Sequence, residues 1–263
     1  MDLGLKNKVA LVAASSRGLG KAVAMGLARE GTKLVICARG KDVLEKTADE
    51  ILLATGVTVF PLAIDLNEKE QIGWLIDETM DLFGRIDILV TNSGGPPSGR
   101  FEDVAEDDWK KACQLTLMSV VRLTRAVIPS MRKQKWGRII HLVSISAKQP
   151  IQGLLLSNAL RPAVLGLTKS LSQELGASNI LVNAVCPGYF FTDRVKQLVE
   201  DRAKHEKKKA SKVMDEMVAD IPLGRMGNSE ELANTVVFLA SEKASYITGA
   251  TFSIDGGMLK GLW

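Results

Sequence analysis

The chain has 263 residues, of which 46% are hydrophobic, enough to bury one large α/β core, so a small disulfide scaffold or a disordered tail is excluded. Lys and Arg outnumber Asp and Glu by only 34 to 30, too small an excess to indicate a nucleic-acid partner. The three cysteines lack the spacing of a metal site, so we expect no bound metal and a reducing compartment. The sequence has no run of about 18 apolar residues, so we expect no membrane association. We therefore expect a cytoplasmic protein.

Short β-branched runs alternate with longer segments of helical period along the chain. The predicted strands are 8–14, 33–38, 58–64, 86–91, 137–144, 180–186 and 251–254. The predicted helices are 18–30, 41–54, 68–83, 107–133, 157–176 and 229–240. This alternation predicts an α/β fold, namely a single doubly wound parallel seven-stranded sheet with helices on both faces, Rossmann-like, in one domain over 1–263.

One segment, at about 193–222, interrupts the alternation. It is helical in period and follows the end of a strand, where open α/β sheets bind ligands, so we interpret it as a helical lid over the site. Its middle is rich in basic residues. They form either a solvated helix face or a basic rim that attracts an anionic substrate or carrier: Arg202, Lys204, Lys207, Lys208, Lys209 and Lys212.

The first strand runs directly into a glycine-containing turn and then a helix. Orphan N–H groups and the helix dipole make such a turn an anion site. Gly18 and Gly20 lack a Cβ, which permits close approach of a ligand or tight packing. The strand before the turn and the βαβ unit after it favour a phosphate site over packing alone.

Short motifs occur along nearly the whole chain, at 16–20, 65–66, 92–94, 137–140, 182–188, 247–249 and 255–257. Taken together, they resemble the short-chain dehydrogenase/reductase family, with the 3-oxoacyl-acyl-carrier-protein reductase branch as the nearest likeness. The family's glycine pattern begins Thr-Gly, whereas this chain has Ala13 and Ala14, and a positive φ at Ala14 would strain its methyl group.

The resemblance implies a nicotinamide dinucleotide as cofactor. Arg39 follows the second strand where an acidic residue would bind a ribose hydroxyl, and with Arg17 nearby it favours NADP(H) over NAD(H); the alternative is a solvated loop cation. The cofactor-binding residues are then Ser16, Arg17, Gly18, Leu19, Gly20, Arg39, Asp65, Leu66, Asn92, Gly94, Arg161, Pro187, Gly188 and Thr192.

The catalytic positions carried over from the family match only in part. Ser144 stands where the family has the Ser that polarises a carbonyl. The family's Tyr, Lys and Asn positions fall on Ser157, Arg161 and Thr116, respectively. A serine hydroxyl is far less acidic than a phenol, and an arginine does not relay protons, so proton transfer would be impaired while cofactor holding survives.

Four other residues bear on this site. Pro162 is expected to displace the start of the helix and so the aim of the side chains before it. Tyr189 is either a substitute acid or a pocket wall. His141 is interpreted as a buried, satisfied histidine and His205 as solvent-exposed.

Two functions remain open. One is an NADP(H)-dependent oxidoreductase that reduces a 3-oxoacyl thioester or a small ketone or aldehyde; the other is a binding or regulatory module that has kept the dinucleotide site and lost turnover. By resemblance, a homodimer or homotetramer is expected, with the helices at 107–133 and 157–176 and the C-terminal 258–263 at subunit contacts.

Overall fold

A computed structural model describes residues 1–262, and all seven strands in that part form one parallel sheet. Its order is β3-β2-β1-β4-β5-β6-β7, which confirms the predicted fold class. Strands β1, β4 and β5 are buried along their whole length, as expected of a sheet covered on both faces. The strands are β1 Val9–Val12, β2 Lys33–Ala38, β3 Val59–Ala63, β4 Ile88–Thr91, β5 Gly137–Leu142, β6 Ile180–Pro187 and β7 Thr251–Ile254.

Helices pack on both faces of this sheet. Helices α1, α2 and α9 bury residues such as Val23, Leu44 and Val236 against one face, and α3 and α5 bury Leu75 and Val127 against the other. The helices are α1 Gly18–Arg29, α2 Lys41–Thr55, α3 Lys69–Phe83, α4 Glu106–Cys113, α5 Ser119–Gln134, α6 Leu155–Leu175, α7 Asp193–Glu206, α8 Ala210–Ala219 and α9 Ser229–Ala240.

The helix predicted over 107–133 contains an irregularity. It is α4 and α5 joined by a π-helical turn, Gln114–Met118, so the chain stays helical while its side-chain register shifts by part of a turn. This shift determines which way the residues of the turn face.

The segment predicted to be a lid consists of two helices, α7 and α8. Lys207 ends α7 with a left-handed φ of 52°, and α8 begins three residues later. A small apolar cluster around Val199 and Val213 holds the two helices together, and Arg202 and Lys208 both pair with Glu216. Two of the six basic residues are thus neutralised within the lid.

Pro162 does not displace the start of its helix, contrary to the expectation. Helix α6 begins at Leu155, before the predicted start, and runs through Pro162. Burial of Leu156 and Val164 on either side of the proline offsets the lost backbone hydrogen bond. Ser157 and Arg161 therefore lie in the same regular helix.

No helix within 1–262 is long and apolar enough to cross a membrane. Trp263, which belongs to the predicted C-terminal subunit contact, lies outside the described residues.

Candidate active site

A cavity of about 940 Å³ opens at the carboxyl ends of the central strands, where the strand order reverses between β1 and β4. The start of α7 covers one side of it. Most of the predicted site residues line this cavity: Ser16, Arg17, Gly18, Leu19, Arg39, Asp65, Leu66, Asn92, Gly94, Ser144, Ser157, Arg161, Pro187, Gly188 and Thr192. Gly20 and Thr116 are not among the lining residues.

The turn after β1 has a demanding backbone. Ala14 and Gly18 both have positive φ, 47° and 57°, so the strain expected at the methyl group of Ala14 is confirmed. A Cβ at Gly20 would lie 2.4 Å from the carbonyl oxygen of Ala14, so this glycine serves the packing of α1 against the turn. The side-chain amide of Asn92 donates to the same carbonyl at 3.2 Å and ties β4 to the turn.

Two arginines lie at the mouth of the cavity near this turn. Arg17 caps α1 without a side-chain capping bond, and its Nη1 lies 3.5 Å from Asp193 on α7. Arg39 follows β2 directly and is exposed to solvent. Both guanidinium groups are therefore accessible at the end of the cavity formed by the turn after β1.

Ser144 lies two residues after β5 and lines the cavity. Its Oγ accepts a hydrogen bond from the Ser146 N–H at 3.0 Å. Because the oxygen is used as an acceptor, its own proton remains available for a substrate oxygen.

Helix α6 places Ser157 and Arg161 beside Ser144. Both are buried, and Arg161 Nη1 donates to the carbonyl oxygen of Val143. Burial, with a smaller effect of the positive charge of Arg194, lowers the pKa of Arg161 to about 10. The guanidinium is still charged at neutral pH.

Thr116 lies in the π-helical turn, buried, and its hydroxyl donates to the carbonyl oxygen of Ala112 at 2.6 Å. The neighbouring Leu115 lines the cavity instead. The turn therefore presents an apolar side chain to the site.

Three further side chains were singled out from the sequence. His141 is buried in β5, with Nδ1 2.8 Å from Thr91 Oγ1, and burial lowers its pKa to about 4, so it is neutral. Its Nε2 has no partner within 1–262, so only one ring nitrogen is satisfied. Tyr189 lines the cavity, where burial raises its pKa, and His205 is exposed on α7.

Arg194 and Gly95 were missed from the sequence, and both line the cavity. Arg194 Nη2 donates to the carbonyl oxygen of Pro96 at 2.8 Å, and its guanidinium lies against the Cα of Gly95. Arg194 follows the predicted cofactor contact Thr192 by two residues, and this position could have identified it as a candidate site residue.

The part of the chain described here holds no cluster of three metal-ligating side chains. The donors around the cavity are hydroxyl, amide and guanidinium groups.

Comparisons with known proteins agree with this architecture. A family model described as Enoyl-(Acyl carrier protein) reductase matches residues 13–259. A rabbit (Oryctolagus cuniculus) protein, dehydrogenase/reductase SDR family member 4, is 37% identical over 96% of this chain and 94% of the relative. The chain belongs to the short-chain dehydrogenase/reductase family. This family consists of oxidoreductases.

Other members of the short-chain dehydrogenase/reductase family are equally similar. The 3-oxoacyl-[acyl-carrier-protein] reductase of Aquifex aeolicus is 35% identical over 98% of this chain and 100% of its own length. The solved structure of L-sorbose reductase from Gluconobacter frateurii, complexed with NADPH and L-sorbose, superposes with a TM-score of 0.94 at 35% identity and covers both chains completely.

Proposed function

We propose that the protein is an NADP(H)-dependent reductase of a carbonyl compound, either a 3-oxoacyl thioester or a small ketone or aldehyde. The observation that carries the proposal is the convergence of Ser144, Ser157 and Arg161 with the turn after β1 in one cavity. Similarity to reductases of 3-oxoacyl carrier-protein thioesters and of L-sorbose supports the reaction class.

The residues present fit a phosphorylated dinucleotide. The turn before α1 offers backbone N–H groups and the positive end of a helix, and Gly18 has no Cβ to obstruct a phosphate. Arg17 and Arg39 would hold the 2′-phosphate, which supports NADP(H) over NAD(H). Solved relatives described with NADPH, such as an actinorhodin polyketide ketoreductase at a TM-score of 0.93, add to this support.

The cofactor, when bound, supplies the hydride. Ser144 would donate its hydroxyl proton in a hydrogen bond to the carbonyl oxygen of the substrate, since its Oγ already accepts from Ser146. Arg161 would hold the cofactor ribose and supply positive potential near the developing oxyanion. Ser157 and Arg161 stand where the family has its Tyr and Lys, so neither performs the usual proton relay.

The proton donor is then water or Tyr189. Burial raises the pKa of Tyr189, so its hydroxyl is protonated at neutral pH and can donate. The variant Tyr189→Phe tests this role. If Tyr189 donates the proton, kcat should fall by about 10²- to 10⁴-fold; if Tyr189 only forms part of the pocket wall, kcat should change little.

The experiment for the main proposal is a turnover assay. Purified protein is mixed with NADPH and acetoacetyl thioesters, quinones or simple aldehydes, and loss of NADPH absorbance is followed. Turnover that Ser144→Ala abolishes supports the reductase, with Ser211→Ala, an exposed serine on α8, as control. NADPH binding without turnover across the panel identifies the alternative, a binding or regulatory module.

We also propose that the protein works in the cytoplasm as a homodimer or homotetramer. Three free cysteines, Cys37, Cys113 and Cys186, suit a reducing compartment. Light scattering that shows a monomer would contradict the assembly.

A further inference from the structure

Two guanidinium groups reach the cavity from different helices at the end that holds Ser144. Arg161 comes from α6 and Arg194 from α7. Each donates to a backbone carbonyl, Arg161 to Val143 and Arg194 to Pro96. Within residues 1–262, neither takes part in an ion pair. Two cations therefore share one end of the cavity without an ion-pair partner in this part of the chain, although the more distant charge of Asp201 acts on Arg194.

This arrangement is costly unless an anion joins it. Arg161 is about nine-tenths buried, and a buried charge is normally paired. Only two acidic side chains line the cavity in the part of the chain described. Asp65 accepts from the backbone and side-chain amides of Asn67, and Asp193 pairs with Arg17 and Lys196.

The geometry of Arg194 suits a small planar anion. Its guanidinium lies against Gly95, where a Cβ would stand 2.7 Å from Nη2, so the group is held flat on the backbone. The bond to Pro96 uses one N–H, which leaves further donors for a two-pronged contact with a carboxylate. Apolar side chains complete this end and limit the ligand's size: Leu115, Ile151, Leu154 and Leu198.

We propose that Arg194, with the charge of Arg161 beside it, binds a carboxylate of the substrate, so that the substrate is a small oxo acid rather than a neutral ketone. The proposal rests on the proposed function and specifies its substrate class. The cofactor phosphates are assigned to the turn before α1, with Arg17 and Arg39, so they do not account for Arg194.

The first test compares two substrates with the same ketone, acetoacetate and methyl acetoacetate, in wild type and Arg194→Met. The variant should lose about 10- to 100-fold in kcat/KM for acetoacetate, because a charged hydrogen-bonded contact is removed. Its kcat/KM for methyl acetoacetate and its Kd for NADPH should stay within about threefold. Glu200→Gln, which removes an exposed charge from the same helix, should change kcat/KM for neither substrate.

A second test does not need turnover. Calorimetry of the NADPH-saturated protein with malonate should show binding that Arg194→Met abolishes, and Gly95→Ala should weaken it by displacing the guanidinium. Inorganic phosphate serves as the competing anion.

The proposal is overturned if wild type fails to bind malonate at millimolar concentration, binds phosphate in its place, or prefers the ester. It is also overturned if Arg194→Met weakens NADPH binding rather than anion binding. Malonate binding that depends on Arg194, in a protein without turnover, would reject the reductase function and leave the anion site standing.

Discussion

Arg161 Nη1 lies 2.5 Å from the carbonyl oxygen of Val143, the residue that precedes Ser144. Helix α6 is thereby attached to the end of β5, next to Ser144, which lines the cavity. This contact places a buried cation, without an ion-pair partner in residues 1–262, at the centre of the site.

Arg161→Met should stabilise the ligand-free protein. Burial is the main reason that the pKa of Arg161 falls to about 10, so the charge costs stability, and the variant should gain about 1–3 kcal/mol in the free energy of unfolding. Water in the open cavity can replace the donor to Val143. Thermal and urea unfolding measure the change, with Arg132→Met on the exposed side of α5 as control. A lower unfolding temperature than wild type would contradict this.

The double variant Ser157→Tyr with Arg161→Lys should gain activity. It installs the Tyr and Lys that the resemblance to the family predicts for these positions, and a positioned general acid contributes about 10²- to 10⁴-fold in rate. Steady-state NADPH oxidation measures the gain. Ser157→Phe with Arg161→Lys fills the same space without a hydroxyl, and an equal gain in this control would refute the role of the missing phenol.

Arg39→Asp should reverse the cofactor preference. The carboxylate repels a 2′-phosphate and accepts from a ribose hydroxyl, so the Kd for NADPH should rise about 10- to 100-fold and that for NADH should fall. Fluorescence titration of both nucleotides measures this. Lys41→Asp, two residues further on at the start of α2, is the control, and an equal effect there would assign the preference to net charge alone.

Stability should fall with acid because of His141. Burial lowers its pKa from 6.5 to about 4, so the unfolded chain binds its proton first as pH drops. The free energy of unfolding should therefore be unaffected by His141 above about pH 6.5 and should fall by about 3 kcal/mol in total as the pH drops from 6.5 to 4. His141→Asn should flatten this part of the stability curve. His205→Asn, at an exposed position, should leave it unchanged.

Ala14→Gly should stabilise the fold and tighten cofactor binding. Its φ of 47° strains a residue with a Cβ, and the gain should be about 0.5–1 kcal/mol after the entropy cost of glycine. Lys135→Gly, at a φ of 52° on the exposed end of α5, should gain stability without affecting NADPH affinity. A loss of stability in Ala14→Gly would show that the strain is absent.

The sheet could be predicted because its strands are short apolar runs between helical segments, and the central strands β1, β4 and β5 are buried along their whole length. The end of α7 at Lys207 could not be predicted, because a left-handed φ is usually marked by glycine and here the residue is a lysine. The orientation of Thr116 depends on a π-helical turn that the helical period does not reveal. Arg194 enters the cavity through a contact with Gly95, which is distant in sequence.

Two contacts hold the start of α7 at the cavity: the ion pair of Asp193 with Arg17 and the hydrogen bond from Arg194 to Pro96. Both arginines also line the space that a ligand would fill. An anion that binds either guanidinium shares that group with the contact that holds the start of α7. Binding of an anion at Arg194 and the mobility of α7 are therefore thermodynamically linked: a change that loosens α7 alters the affinity for that anion, and a bound anion alters how firmly α7 is held.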